Sequence, residues 1–123
     1  MKLGAFSISL AVKEIEASRA FYAHLGFEQA GGDAGQGWLI LRNGTTTIGL
    51  FQGMFEANLM TFNPGWDAAA QPLEDFEDVR AIQARLQAAG LALTQETDPD
   101  GTGPAHIALT DPDGNAILID QHV

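Results

Sequence analysis

The chain contains no cysteine. That absence removes disulfides, thiolate nucleophiles and cysteine metal sites together, so any chemistry must come from histidine, carboxylates, amides, hydroxyls or the backbone. Basic residues are scarce as well: six Lys and Arg stand against sixteen Asp and Glu, a formal charge of −10. Such a surface repels a phosphate backbone and forfeits the counterion release that drives nucleic-acid binding, so nucleic acid is not expected as a partner. Long apolar runs are missing too. No stretch approaches the ~20 residues of a membrane span, and Met1-Lys2-Leu3-Gly4 leads straight into a strand instead of a signal-peptide core. A cytoplasmic protein without a membrane partner is the expectation.

What remains is ordinary in size: 123 residues, 46% hydrophobic, enough for one domain over residues 1–123. Within it one unit occurs twice. The segment from Val12 to Phe27 recurs in outline from Phe76 to Leu91, with Ile15 falling on Val79, Tyr22 on Leu86 and Gly26 on Gly90. Apolar residues at helical spacing (Ile15, Tyr22, Leu25; Val79, Ile82, Leu86, Ala89) predict helices near Glu14 to Leu25 and Asp78 to Ala89, each with a buried stripe. Gly26 and Gly90 suit the left-handed residue that closes a helix. Carboxylates in Glu74-Asp75-Phe76-Glu77-Asp78 favour the positive end of the second helix dipole.

After each helix comes a hairpin pattern. Trp38 to Leu41 leads through Asn43-Gly44 to Thr46–Phe51, and His106 to Leu109 leads through Asp113-Gly114 to Ala116–Ile119. Asn-Gly and Asp-Gly predict tight two-residue turns. With a strand before each helix, Phe6 to Val12 and then Asn58 to Asn63, the order is strand-helix-strand-strand-strand twice. The expected fold is therefore α+β: two βαβββ modules, at about 5–52 and 58–123, sharing a concave surface.

The string Leu10-Ala11-Val12-Lys13-Glu14-Ile15-Glu16-Ala17-Ser18-Arg19-Ala20-Phe21-Tyr22, then Leu25-Gly26-Phe27 and Asp111-Pro112-Asp113-Gly114-Asn115, resembles the vicinal oxygen chelate superfamily. That group includes glyoxalases, bleomycin-resistance proteins and extradiol dioxygenases, and the resemblance implies paired βαβββ modules over nearly the whole chain. It also implies where a catalytic divalent ion would be held in the enzymes. The first-strand histidine of the family falls on Ser7, its C-terminal glutamate on Leu118, and the first-module carboxylate on Gly49, or on Leu50 if the register slips by one. The remaining histidine falls on Gln71 by ungapped counting, or near Asn58 or Met60 if that strand starts at Asn58. None of these is a good ligand for such an ion.

Three histidines are present. His24 lies near the end of the first helix, where the dipole favours an imidazole. His106 opens a strand and either packs in the core or faces the cavity. His122 follows Asp120, which shares the face of Leu118, and an Asp-x-His pair supplies half a metal site. The linker Phe51 to Trp66 is dense in aromatic and methionine side chains, suited either to packing between modules or subunits or to lining a pocket. As lining, Met60, Phe62 and Trp66 provide apolar surface, and Gln52, Asn58 and Asn63 the directional polar groups. Ser7, Trp38, His106 and Asp120 complete the expected ligand-binding set. Pro64-Gly65 predicts a turn, and the polar passage Asp67 to Asp75 predicts a flap or a subunit contact.

The resemblance and the residues together imply a metal-free homodimer that binds a small planar or aromatic molecule, without cofactor. The alternative is a metal-dependent glyoxalase or dioxygenase that uses His106, Asp120 or His122 in a new arrangement.

Overall fold

Both helices end in the same way. In the computed structural model, which describes residues 1–123, α1 spans Ile15–Ala23 and α2 spans Val79–Ala88. Gly26 and Gly90 follow them at φ of 89° and 86°. The Gly26 and Phe27 N–H groups donate back to the carbonyls of Ala23 and Tyr22; those of Gly90 and Leu91 donate to Gln87 and Leu86. This doubled bond pair satisfies last-turn carbonyls and requires a left-handed residue, which glycine adopts without a Cβ clash. The buried stripes are narrower than the periodicity predicts. Ile15, Val79 and Ile82 are buried, but Leu25 is 56% exposed and Ala89 is exposed, because both lie beyond the last helical turn.

Both helices also start in the same way. Glu14 gives α1 no side-chain cap; the Ile15 N–H donates instead to Gln52 Oε1 at 2.8 Å. The Val79 N–H of α2 donates to Gln121 Oε1 at 2.7 Å. These glutamines close the strands β4 (Thr46–Gln52) and β7 (Ala116–Gln121), so each module's last strand caps its own helix.

The chain forms two compact units, Ser7–Leu59 and Met1–Phe6 with Met60–Val123. In the first, β1 (Ala5–Val12), β2 (Glu28–Asp33), β3 (Trp38–Asn43) and β4 lie in the order β2-β3-β4-β1. β1 pairs with β4 in parallel, and the other two pairings are antiparallel. This is the complete βαβββ module. Ile8, Leu10, Val12, Leu39, Leu41, Ile48 and Leu50 pack with Ile15 and Tyr22 of α1 to make its core.

In the second unit, β5 (Leu59–Asn63), β6 (Ala105–Thr110) and β7 lie in the order β5-β7-β6. Val79, Ile82, Ile107 and Ile119 form its core with Leu86, Leu109 and Ile117. One expected strand is reduced to a bridge between Gln95 and Ala108. Past it the Gln83 amide takes over the backbone, accepting from Thr97 N–H at 2.8 Å and donating to Thr97 O at 2.9 Å, so a side chain replaces the ladder. The first strand and α2 are separated by residues 64–78, whereas only Lys13 and Glu14 separate β1 from α1. Ungapped counting therefore fails there, and Gln71 lies outside any strand.

The turns also differ from expectation. Asn43 pairs with Thr46, so the two-residue loop is Gly44-Thr45, with Gly44 alone at positive φ in the first central position. The second hairpin closes through five residues, Asp111 to Asn115. Asp111 organises them: its carboxylate accepts from the Asn115 amide and from the Asn115 and Asp113 N–H groups, and these bonds lower its pKa. Pro64-Gly65 forms the predicted turn, tied by Gly65 N–H to Asn63 Oδ1. No helix is long and apolar enough to cross a membrane.

Candidate functional site

In the unit Ser7–Leu59 the strand residues that pack on α1 alternate with residues on the opposite, open face. Three rows cross that face. One runs Ala11, Phe51, Trp38, Asp33; the next runs Ser9, Gly49, Ile40, Gly31; both follow from the strand register. The third carries Thr47, Arg42 and Glu28, with Ser7 one step before the Ile8–Ile48 pair that opens the β1–β4 ladder. The face therefore has an aromatic row, a floor of small residues and Ile40, and a polar row.

The floor is shaped by one glycine. A Cβ on Gly49 would stand 2.6 Å from Phe51 Cε2 and 3.6 Å from Ile40 Cδ1, so the Phe51 ring occupies space that any side chain at 49 would need. Phe51 also meets Phe55 at 5.3 Å between ring centroids. Ser7 and Trp38, both predicted for the site, belong to this face. Gln52 and Asn58 have their side-chain oxygens engaged by the Ile15 and Ala11 N–H groups, so these oxygens serve the backbone. Sequence reading missed Arg42 and Ile40; the signal for both was their even spacing from Trp38.

In the other unit the open face is that of His106, Ala108, Leu118 and Asp120, since Ile107, Ile119, Leu109 and Ile117 face α2. His106 and Asp120 are cross-strand partners. Asp120 Oδ2 lies 3.0 Å from His122 Nε2, and the His122 ring lies against Trp66 at 4.7 Å between centroids. The Trp66 indole N–H is buried without a partner. His106 is exposed, in contrast to a core histidine. Met60 and Phe62 lie on β5, with Phe62 against Phe6 at 5.1 Å, and the Asn63 oxygen holds the Gly65 turn. The predicted residues thus fall into two groups: Ser7, Trp38 and Gln52 in one unit, and Met60, Phe62, Asn63, Trp66, His106 and Asp120 in the other.

A divalent ion finds a poor donor set here. Leu50 faces the α1 core, so the first-module carboxylate position is Gly49, where any side chain would have to displace the Phe51 ring. Ser7 offers a hydroxyl and Leu118 nothing. No three His, Asp or Glu side chains converge on a position suited to an ion.

A four-stranded βαβββ module with an open face opposite its helix, together with a second helix capped the same way, points to one superfamily. The sequence pattern of the Glyoxalase/Bleomycin resistance protein/Dioxygenase superfamily matches residues 4–119. The chain belongs to that superfamily. Among solved structures, a superfamily member from Vibrio splendidus 12B01 is similar at 15% identity and TM-score 0.64, covering 94% of this chain and 97% of its own. A Legionella pneumophila protein described as an NAD-dependent benzaldehyde dehydrogenase reaches TM-score 0.69 at 13% identity, covering 96% and 99%. The Mn(II)-bound glyoxalase of Novosphingobium aromaticivorans reaches 0.55 at 18% identity, covering 99% of this chain and 40% of its own. At these identities the likeness is one of fold. No curated protein matches the chain.

Proposed function

We propose that this superfamily member is a metal-free binding protein that takes a small planar or aromatic molecule on an open sheet face, in the manner of bleomycin-resistance proteins. The observation that carries the reading is the Phe51 ring lying over Gly49. In place of a carboxylate that would hold an ion, the position offers an aromatic surface on a floor without side chain, beside Trp38 and Ile40. Large rigid rings contribute much contact area at low entropic cost, and a few polar groups at one side set orientation. Ser7, Thr47 and Arg42 are those groups.

The test is elemental analysis of protein purified without chelator, combined with tryptophan fluorescence titration by an aromatic probe before and after EDTA. The expected result is far less than one transition-metal ion per chain and a titration unchanged by EDTA. About one tightly held Zn, Ni, Fe or Mn ion per chain would overturn it.

A second reading is favoured by one feature, the Asp120–His122 contact at 3.0 Å with His106 opposite Asp120. On that reading the chain is a metal-dependent glyoxalase or dioxygenase whose ligands lie in the unit containing β7. The same analysis decides: an ion lost on His122→Ala would support this reading against the first.

A further inference from the structure

The chain has four arginines, and three of them are ion-paired: Arg19 with Glu16, Arg80 with Asp78 and Arg85 with Glu77. Arg42 has no carboxylate within ion-pairing distance. Its only hydrogen bond is a long one, from Nε to Thr47 Oγ1 at 3.4 Å. It is half-buried on the open face of the four-stranded sheet, in the polar row next to Ile40 and Gly49. Glu28 lies opposite it across β2 and β3 without forming an ion pair.

We infer that this face recognises an aromatic carboxylate, its ring against Phe51, Ile40 and Trp38 and its carboxylate on the Arg42 guanidinium. The inference rests on the binding reading above and names its ligand class. Neighbouring rows on one strand face are about 7 Å apart. That spacing lets one ring lie over the Gly49 floor while a carboxylate attached to it directly, or through one or two carbons, reaches the guanidinium. A guanidinium presents paired N–H donors that match a carboxylate bidentately, and it is weakly hydrated compared with an ammonium, so little is lost when the ring excludes water around it. The Ser7 and Thr47 hydroxyls lie in the same row and suit the carboxylate's remaining lone pairs. The overall charge of −10 opposes any anion at long range. At physiological salt, however, charges more than about 8 Å away are largely screened, and the local cation dominates.

The test is calorimetric and fluorescence titration with benzoate, phenylacetate and cinnamate, their neutral amides, and benzylamine. Binding is expected for the carboxylates, about tenfold or more weaker for the amides, which give up the ion pair, and weakest for the amine, whose ammonium is repelled by the guanidinium. Arg42→Gln is expected to abolish the preference for carboxylate over amide without changing the melting temperature. Glu28→Gln is expected to strengthen carboxylate binding. Amides or amine binding as well as carboxylates, or an unaltered preference in Arg42→Gln, would overturn the inference and leave the binding reading intact. No binding by any of these probes at millimolar concentration would overturn both.

Discussion

Gln52 and Gln121 do the same work in different surroundings. Gln121 is 2% exposed, and besides capping α2 its amide nitrogen donates to Asp78 Oδ2 at 3.0 Å, Gly103 O at 3.2 Å and Val123 O at 2.9 Å. Removing it leaves the buried Val79 N–H unpaired and takes one partner from three partly buried acceptors, the first costing about 1–3 kcal/mol. Gln52 is exposed, and its bond to the Ile15 N–H is only partly buried. Urea denaturation should therefore show a loss of about 2–4 kcal/mol for Gln121→Ala and under about 1 kcal/mol for Gln52→Ala. Equal losses would contradict this account. Asp78 adds a pH dependence. Partial burial pushes its carboxyl up, but the Arg80 N–H, the Gln121 amide and the Arg80 guanidinium outweigh burial and hold it below its ordinary value of 3.8. A depressed carboxyl stabilises the fold above its unfolded pKa, and that contribution is lost as pH falls through the folded one. Below about pH 4, stability should fall more steeply in the wild type than in Asp78→Asn, a difference readable in melts across pH 2–5.

At the scale of the element, the two helix ends offer a controlled comparison. Gly26 and Gly90 share one backbone conformation, yet a Cβ on Gly90 meets nothing within 4 Å, whereas one on Gly26 stands 2.9 Å from Asn43 Nδ2. That Asn43 amide donates to Leu25 O at 3.0 Å, so its displacement frees a carbonyl of the helix end. Gly90→Ala should cost about 1 kcal/mol from the left-handed conformation alone, and Gly26→Ala more by the value of one hydrogen bond, about 0.5–1.5 kcal/mol. Thermal melts of the two variants test the order, and a larger loss at Gly90 would refute it. The second module's missing strand belongs to this scale as well. Asp98-Pro99-Asp100-Gly101 follows Thr97 directly, and Gln83 supplies the bonds that a neighbouring strand supplies in the first module.

For the whole molecule, we propose a homodimer. β2 is an edge strand of the sheet, and Phe21 near the end of α1 and Leu25 just beyond it are 61% and 56% exposed. Unpaired edges and apolar area of this kind are commonly covered by two-fold pairing. Sedimentation at tens of micromolar should show a dimer, and fully monomeric behaviour would refute it. Several linker side chains also pack within the chain. Phe51, Phe62 and Trp66 each have an aromatic or histidine partner within the chain, and Met54 stands exposed. Trp66→Ala should therefore lower the melting temperature by less than the ~3–5 kcal/mol of a fully buried tryptophan would imply, without shifting the dimer equilibrium.

The repeat, both helices, their glycine ends and the superfamily were legible in the chain because each rests on contacts within five or six residues or on a local pattern. The strand faces were not. In Trp38-Leu39-Ile40-Leu41 every residue is apolar, so alternation is silent about which parity is core, and only packing against Ile15 and Tyr22 sends Leu39 and Leu41 inward and leaves Trp38, Ile40 and Arg42 on the open side. The helix caps were hidden for a related reason. Gln52 lies 37 residues from Ile15, and Gln121 lies 42 from Val79, and neither has a sequence signature at such a distance. Gly49 read as a lost ligand in one dimension. In three it is the space that the Phe51 ring fills, a property set by which side chain folds over which backbone and therefore decided only by the tertiary structure.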